Sequence, residues 1–587
     1  MGVFPDESEI KQAADLLVNR YKVSAQLLGQ LFGSEQMNQA NDIVQQLGGN
    51  RLTTLDVAKL LIFRKGSELF SGRHESVRKL RQCLLTKLPD TTIVQLFEQY
   101  GDKDRQIKSP SRMSKPLAEK KWHTGGPWAR DFVKALEFPQ IFAGMVQGDS
   151  SPTTEDIQPL LVPPKLVDFQ VSLKEKMLEV LERDGDRTRC VVTLPTGGGK
   201  TRVAVEAFID WMQPRFSSGK YLVWIAQSEE LCEQAIKCIQ QMWSSREFIS
   251  SLRIYRYFGG GNIQLEKLQG GAVVTSIQQL HNRIKSCDEA LDAILKDTGA
   301  MIIDEAHRAV TAMYDGLLAK AEQVCGADLF PICGLTATPG RSGINRQDEI
   351  PKLVGRFEAY LIKPNLGDKY SENPLLYFRE NRYLAHAHHI VYRSGIEYKL
   401  SDAEIEEISS DNDFPPGFLK RLAKDVKRNL LIIKRLLQLP QGTPTLIYAC
   451  TVEHAEFLSA ILTAKGRHAG AISSSTPLTI RRGLIQDFKE GQFDFLCNYG
   501  VLTTGFDAPK TKCIVICRPT TSVVLYEQII GRGLRGLKFG GTEQCDIIDF
   551  ADNIGQLGRP LAYARFLDFW TKEDKEGDSS KQGDKVN

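Results

Sequence analysis

The sequence predicts an α/β protein with two tandem, doubly wound parallel-sheet domains preceded by a small helical domain. Three observations support this. Short apolar strand patterns alternate with helical patterns over 165–560, a glycine-rich loop follows the first of those strands, and residues 7–100 repeat apolar side chains near the helical period. Alternation of this kind is typical of parallel sheets whose crossover helices cover both faces.

The composition limits the class of protein. At 587 residues the chain is long enough for several domains, because single cores rarely exceed about 250–300 residues. The sequence is 42% hydrophobic and 25% charged, as soluble proteins are, and its net charge of +3 leaves nucleic-acid affinity to local basic patches. Twelve cysteines without a C-x-x-C pair indicate a reducing compartment. No apolar run resembles a signal peptide or a membrane span, so we expect a cytoplasmic protein.

Residues 1–100 are predicted to form a helical accessory domain, and residues 101–164 a basic linker with a short helical segment. The linker carries seven Lys or Arg side chains among Ser, Pro and Gly between positions 103 and 121, so it is either a solvated hinge or a phosphate-contacting arm. Trp122 and Trp128 favour core anchors over base-stacking residues. The region 1–150 either docks a protein partner or contacts nucleic acid.

A glycine-rich stretch, TLPTGGGKT, predicts a phosphate-binding loop between a strand and a helix. Lys200 would reach the β- and γ-phosphates of a nucleotide, and the Thr201 hydroxyl would bind Mg²⁺. Leu194 replaces the first glycine of the strict pattern, so the loop alone leaves a chance match open. Backbone N–H groups would form the anion nest at Thr196, Gly197, Gly198 and Gly199.

The stretch AMIIDEAH at 300–307 predicts a buried strand that ends in two carboxylates. Ligands bind at the carboxyl ends of parallel strands, where Asp304 suits a Mg²⁺ contact. Glu305 suits the base that orients and deprotonates an attacking water. An acid-rich helix start is the alternative, but the loop and the acids in this order indicate a nucleoside-triphosphate site.

Five motifs then occur in the order found in one class of helicase. They are TGGGKT at 196–201, DEAH at 304–307, TATP at 336–339, TTGFDAP at 503–509 and QIIGRGLR at 528–535. In these motifs the segment 165–555 resembles the DEAD/DEAH-box helicases of superfamily 2, and within them the branch that holds XPB and the bacterial RadD-like enzymes.

The resemblance implies two RecA-like domains that hydrolyse ATP with Mg²⁺ in the cleft between them. We expect the first domain over 165–345, a connecting segment over 346–425 and the second domain over 426–560. A C-terminal segment with a disordered tail would follow over 561–587. Gln170 would read the adenine edge with Phe169 beside it. A bidentate amide can pair with adenine N6 and N7 but not with guanine, so ATP would be preferred.

The resemblance also implies nucleic-acid contacts and a coupling element. Hydroxyl groups position a phosphate backbone without reading its sequence, although each of them also suits a strand-end cap. Such contacts would come from Ser228, Thr275, Ser276, Thr503 and Thr504. Coupling of hydrolysis to domain movement would come from His307, Thr336 and Thr338.

The second domain would complete the nucleotide site. Arg532 and Arg535 are three positions apart, which would place them on one helix face, and the resemblance implies that both approach the γ-phosphate. Arginines of this kind raise the rate of phosphoryl transfer about 10³–10⁵-fold. By the same resemblance Gln528 would help to place the water. Gly505 and Asp507 would touch the ribose or the phosphates.

We therefore expect an ATP-dependent nucleic-acid helicase or translocase, with DNA favoured over RNA, in DNA repair or in defence against phage. One alternative is a duplex DNA translocase that serves a nuclease partner, and another is a nucleotide-gated scaffold. Three histidines in the connecting segment, His386, His388 and His389, suit an ordinary loop or strand face better than a metal site, because no cysteine or carboxylate has matching spacing.

Overall fold

The computed structural model describes residues 4–101, 107, 109–144, 154–157, 165–246, 251–261, 263–326, 329–337, 349–370, 374–411, 413–502 and 508–553. Several positions predicted to be functional, Thr338, Thr503, Thr504, Gly505 and Asp507, lie outside the described residues, as does the segment 561–587. Among the described residues, no helix combines the length and the apolar character needed to cross a membrane. All twelve cysteines are free thiols.

The N-terminal region is a helical unit, and it extends further than the predicted boundary at residue 100. Capping boxes start two of its helices, at Asp6 with Glu9 and at Thr53 with Asp56, which satisfies backbone donors that a helix start leaves unpaired. The described residues of the unit form eight α-helices: α1 Glu7–Asp15, α2 Ala25–Phe32, α3 Ser34–Gln46, α4 Thr54–Lys65, α5 Glu75–Leu85, α6 Asp90–Tyr100, α7 Pro110–Glu119 and α8 Pro127–Ala135.

The segment predicted as a basic linker contributes α7 and α8 to this unit. Trp128 is buried, and its ring lies 5.6 Å from that of Phe132 and 5.2 Å from that of Tyr100. Trp122 packs 5.4 Å from Phe132. The two tryptophans therefore pack in the core of the helical unit, as expected for core anchors.

The first sheet has eight strands in the order β1-β4-β5-β3-β6-β7-β2-β8, all parallel except that β1 pairs antiparallel with β4. Its strands are β1 Thr154–Ile157, β2 Arg189–Thr193, β3 Tyr221–Ala226, β4 Leu252–Tyr257, β5 Gly271–Ser276, β6 Thr298–Asp304, β7 Ile332–Thr336 and β8 Leu361–Ile362. Its helices are α9 Asp168–Glu182, α10 Lys200–Met212, α11 Glu229–Trp243, α12 Ile277–Lys285, α13 Glu289–Lys296, α14 Ala312–Cys325, α15 Glu349–Arg356 and α16 Pro374–Glu380.

The second sheet has six parallel strands in the order β11-β12-β10-β13-β14-β9. Its strands are β9 His386–Glu397, β10 Thr445–Tyr448, β11 Ala469–Ser473, β12 Phe495–Tyr499, β13 Cys513–Ile516 and β14 Gln544–Asn553. The helices of this part of the chain are α17 Asp402–Asp411, α18 Pro416–Ala423, α19 Val426–Gln438, α20 Val452–Ala464, α21 Leu478–Lys489 and α22 Val523–Ile530. Two RecA-like sheets and a helical N-terminal region confirm the predicted fold class.

The predicted connecting segment 346–425 is divided between the two sheets. Its β8 pairs with β2 in the first sheet, whereas its β9 pairs with β14 at the edge of the second. The second sheet thus includes a strand that lies before the boundary expected at residue 426. On β9, His388 Nδ1 lies 3.0 Å from Asp546 Oδ1, and His389 contacts Asp549 and the Tyr526 hydroxyl.

The helical unit packs on the second sheet domain. Helices α3 and α4 lie against α19 and α20, and the buried side chains of both parts form one hydrophobic cluster. Arg64 Nε lies 2.7 Å from Glu456 Oε2, and Gln39 Nε2 donates to the Lys424 carbonyl at 2.6 Å. Because they share a core, the helical unit and the second domain are expected to move together.

Candidate active site

The phosphate-binding loop connects the buried strand β2 to α10. Gly197 and Gly199 both have φ of +88°, in the left-handed region that favours glycine. A Cβ on Gly199 would lie 2.6 Å from Gln170 Nε2, and one on Gly197 would lie 3.3 Å from Leu384 Cδ2. The loop therefore needs glycines both for its backbone conformation and for the close approach of its neighbours.

Lys200 opens α10, and its side chain is enclosed in the cleft. Its Nζ donates to the Leu194 carbonyl at 3.2 Å. Burial lowers the pKa of Lys200 below its ordinary value, and the nearby carboxylates of Glu305 and Asp304 oppose that shift. A buried ammonium group of this kind gains stability from an anionic ligand such as a nucleotide phosphate.

Asp304 ends β6, and Glu305 follows it in a left-handed conformation with φ of +53°. The Glu305 N–H donates to Asp304 Oδ1 at 2.9 Å. Burial, together with the Glu305 carboxylate, raises the pKa of Asp304. For Glu305 burial acts in the same direction, but the hydrogen bond from His307 and the charge of Lys200 outweigh it, so the pKa of Glu305 is lowered.

A buried polar chain links these acids to the next strand. His307 Nδ1 lies 3.3 Å from Glu305 Oε2 and 3.2 Å from Thr336 Oγ1. Thr336 ends β7, which pairs with β6 in parallel, so both strand ends meet at one edge of the sheet. The Thr336 hydroxyl thus contacts the DEAH loop through His307, whereas the predicted role of these residues in coupling stays a prediction.

Arg532 and Arg535 of the second domain face the loop across the cleft. Helix α22 ends at Ile530, so the two arginines do not share a helix face as their spacing predicts: Arg532 lies on the turn beyond the helix, and Arg535 forms an isolated bridge with Leu384. The Arg532 charge acts on Lys200, Asp304 and Glu305. A Cβ on Gly531 would lie 2.6 Å from Thr196 Cβ, which shows how closely the two domains approach.

A cavity of about 1250 Å³ contains these groups. The first domain contributes the loop backbone, the lysine, the Thr201 hydroxyl and the two acids, and the second domain contributes both arginines. The predicted residues on its wall are Gln170, Thr196, Gly197, Gly199, Lys200, Thr201, Asp304, Glu305, Arg532 and Arg535. Gly198 contributes through its carbonyl, which accepts a hydrogen bond from Gln170 Nε2 at 3.1 Å.

The structure corrects the expectation for Phe169. Its side chain points into the core, 5.1 Å from the Phe378 ring and 5.4 Å from the Tyr383 ring, and Tyr383 lines the cavity in its place. Gln170 lines the cavity, but its Oε1 also accepts the Val167 N–H at 3.2 Å. Its amide is therefore engaged on both sides within the chain.

Helix α22 carries one residue that sequence reasoning missed. Glu527 is half-buried, and the loss of hydration raises its pKa to about 7, against the opposing charge of Lys200. Its neighbour Gln528 is buried and is not among the described residues that line the cavity. The sequence gives no signal for Glu527 beyond an acid next to the glutamine of the QIIGRGLR motif.

The three described residues predicted to contact nucleic acid have structural partners. Ser228 Oγ accepts the Leu231 N–H at 3.3 Å and Ser276 Oγ accepts the Gln279 N–H at 3.2 Å, so both are helix caps. Thr275 is 0% exposed and donates to the Tyr257 carbonyl at 2.8 Å. Its hydroxyl is inaccessible to a phosphate backbone in this conformation, which corrects that expectation.

Comparison with known proteins gives two matches to family models. One described as "Type III restriction enzyme, res subunit" matches residues 164–341, and one described as "Helicase conserved C-terminal domain" matches residues 428–536. The first match contains the phosphate loop and the paired acids. The second contains both arginines.

The chain is 26% identical over 406 residues to "Putative ATP-dependent helicase IRC3" of Saccharomyces cerevisiae, covering 68% of this chain and 53% of the yeast protein. It is 25% identical over 297 residues to the "51.5 kDa protein" of a Lactococcus phage, covering 50% and 57% respectively. The chain thus spans about half the length of the curated relatives it matches. The solved structure of S. cerevisiae Dbp5 bound to RNA and ADP BeF3 aligns with a TM-score of 0.45 and 14% identity, over 69% of this chain and 92% of that chain.

Proposed function

We propose that the chain is a superfamily 2 helicase, an ATP-dependent DNA helicase or translocase that hydrolyses ATP between its two RecA-like domains. One matched family model is described as a helicase domain, and the yeast relative is described as a putative ATP-dependent helicase, which supports the proposal. One observation carries the proposal: Lys200, Asp304 and Glu305 of one domain and Arg532 and Arg535 of the other line a single cavity.

The chemistry of phosphoryl transfer suits this arrangement. Charge on the γ-phosphoryl oxygens rises toward the transition state, and fixed cations in a buried site stabilise it. Lys200 supplies one cation from the first domain, and Arg532 and Arg535 supply two from the second. Glu305, whose pKa is lowered, stays ionised and accepts a hydrogen bond and then a proton from the attacking water.

The donor set also fits Mg²⁺. The Thr201 hydroxyl and the Asp304 carboxylate line the same cavity as Lys200, and both are the oxygen ligands that Mg²⁺ prefers. Burial disfavours a charged Asp304, and a bound dication would remove that cost. When bound, Mg²⁺ would neutralise phosphate charge.

Domain closure would convert hydrolysis into movement. Half of the site lies on each domain, so ATP favours the closed cleft and hydrolysis allows it to open. A DNA strand bound across both domains would be stepped along or strained. We favour DNA over RNA because the motifs resemble those of XPB and the RadD-like enzymes, and we place the activity in the cytoplasm, in DNA repair or phage defence.

ATP turnover by the purified chain tests the proposal. It is measured alone and with single-stranded DNA, duplex DNA or RNA, and Lys200→Ala is the control. Stimulation by DNA that disappears in the variant is the expected result, because Lys200 lies where the phosphates would bind. Equal turnover in both proteins, or no turnover with any nucleic acid, would contradict it.

A second candidate function is a duplex DNA translocase that works with a nuclease partner. The match of residues 164–341 to a family described by the res subunit of a restriction enzyme favours it. In that case DNA-stimulated turnover would occur without strand displacement. The helical unit at 4–144 is then the natural site for partner docking, since none of its described residues lines the cleft cavity.

A further inference from the structure

The part of the cavity where the adenine base is expected, next to Gln170, has other walls than predicted. Phe169 is turned into the core, and both ends of the Gln170 amide are engaged by Val167 and Gly198. The aromatic residues that line this end of the cavity are Tyr383 and Phe539. An aromatic surface for a nucleotide base therefore comes from the connecting segment and the second domain.

Phe539 terminates a stack of aromatic rings. The Tyr377 and Tyr383 centroids lie 6.1 Å apart and the Tyr383 and Phe539 centroids 5.1 Å apart, both with interplanar angles of 29°. Tyr383 is 6% exposed, whereas Phe539 is half-buried. Tyr383 thus supports the ring of Phe539 from behind, and the more exposed Phe539 is the ring available to a ligand in the cavity.

The loop that carries Phe539 is fixed by backbone hydrogen bonds. Gly536 N–H donates to the Tyr383 carbonyl at 2.9 Å, Lys538 N–H to the Arg382 carbonyl at 3.1 Å, and Phe539 N–H to the Gly536 carbonyl at 3.0 Å. A Cβ on Gly536 would lie 2.6 Å from the Tyr383 carbonyl carbon. The loop is therefore held in place before any ligand binds, which reduces the entropic cost of binding.

We infer that Phe539 is the stacking platform for the adenine base of ATP. Stacking of a base on an aromatic ring is favourable for any π-face. Val167 and Gln170 line the same cavity as Phe539, and the hydrogen bond from Gln170 to the Gly198 carbonyl ties this part of the wall to the phosphate loop. The inference rests on the proposed function, because it assigns a subsite within the proposed ATP site.

The position of Phe539 also connects base binding to catalysis. Phe539 lies four residues after Arg535, and both line the cavity. Leu384 forms an isolated bridge with Arg535, so the connecting segment, the arginine and the platform are tied together. A nucleotide that touches Phe539 through its base and Arg535 through its phosphates would hold the cleft closed at both ends.

Calorimetric titration of the full chain tests the inference, with Mg²⁺ and either AMP-PNP or inorganic tripolyphosphate, which lacks base and ribose. Phe539→Leu keeps the apolar volume but removes the ring, and should weaken AMP-PNP binding about tenfold with tripolyphosphate binding unchanged. Phe539→Trp should retain the AMP-PNP affinity. Leu537→Ala, on the same turn with an exposed side chain, is the matched control and should bind both as the wild type does.

Three outcomes separate the two claims. Unchanged AMP-PNP affinity in Phe539→Leu would overturn the platform while leaving the motor intact. Equal weakening of AMP-PNP and tripolyphosphate would also overturn it, because the ring would then act only by supporting the fold. If the wild type bound neither compound, the result would contradict the proposed ATP site itself and, with it, the proposed role of Phe539.

Discussion

At the scale of single residues, helix α22 carries an acid that the proposed chemistry does not use and whose charge interacts with that of Lys200. Glu527 is half-buried, and the loss of hydration raises its pKa to about 7, above the ordinary value of 4.5, against the opposing charge of Lys200. The folded protein therefore binds this proton more tightly than the unfolded chain does. Stability from this group is present at pH below about 4.5 and is lost as the pH rises toward 7.

Glu527→Gln should abolish that pH dependence. The Tm of the variant minus that of the wild type, measured without nucleotide, should grow from near zero at pH 5 to about 2–6 °C at pH 8. Thermal unfolding followed by scanning calorimetry at several pH values measures it, with Glu322→Gln, an exposed acid on α14, as control. A Tm difference that stays constant from pH 5 to pH 8 would contradict the expectation.

The functional residues that could be predicted from sequence are those that lie at the end of a strand or the start of a helix. Lys200 follows a strand and opens a helix, and Asp304 ends a strand, so a motif and a strand pattern suffice to place them. Tyr383 and Phe539 were missed because they meet only through pairing between distant segments. Thr275 was misassigned because its hydroxyl is used by a neighbouring strand, which no local pattern reveals.

At the scale of elements, two helices hold the cleft together by charge. Arg481 of α21 pairs with Glu230 of α11, and Arg482 Nη2 lies 3.1 Å from Glu233 Oε1. Arg481 and Glu230 have side chains that are only 11% and 27% exposed, so solvent screens this pair less than a surface pair. These contacts join the first domain to the second and therefore favour the closed cleft.

Reversing one charge should weaken closure. Arg481→Glu should raise the KM for ATP about five- to tenfold, because two carboxylates would then face each other, and the double variant with Glu230→Arg should restore it to within about twofold. Steady-state ATP turnover measures this. The control exchanges the charges of the exposed pair Lys369 and Glu380, which lies outside the cleft cavity, and should leave the KM unchanged. If this exchange raised the KM as much as Arg481→Glu does, the proposed role of α11 and α21 in closure would be contradicted.

Element boundaries were less predictable than element types. Alternating strands and helices gave the two sheets, but β9 lies in a polar segment and joins the second sheet through pairing with β14, more than 140 residues later. Similarly, α7 lies in a stretch whose Lys, Ser and Pro content favours a linker. Packing against α5 and α6 stabilises it as a helix, which is a tertiary effect that overrides local propensity.

At the scale of the whole molecule, the chain consists of a first sheet domain that faces a second one fused to a helical unit. The shared core of helices α3, α4, α19 and α20 makes the helical unit part of the moving body. Any partner bound to that unit would move with Arg532 and Arg535 as the cleft opens and closes. The order of the motifs predicts the two sheets, but it could not predict where the helical unit packs.

The most direct test of a site shared between two domains is single-turnover ATP hydrolysis by Arg532→Ala with saturating DNA. The variant should bind ATP nearly as the wild type does, because the phosphate loop is untouched, and should hydrolyse it about 10³-fold more slowly. Hydrolysis at the wild-type rate with ATP bound would contradict the account, because the first domain would then be sufficient for catalysis.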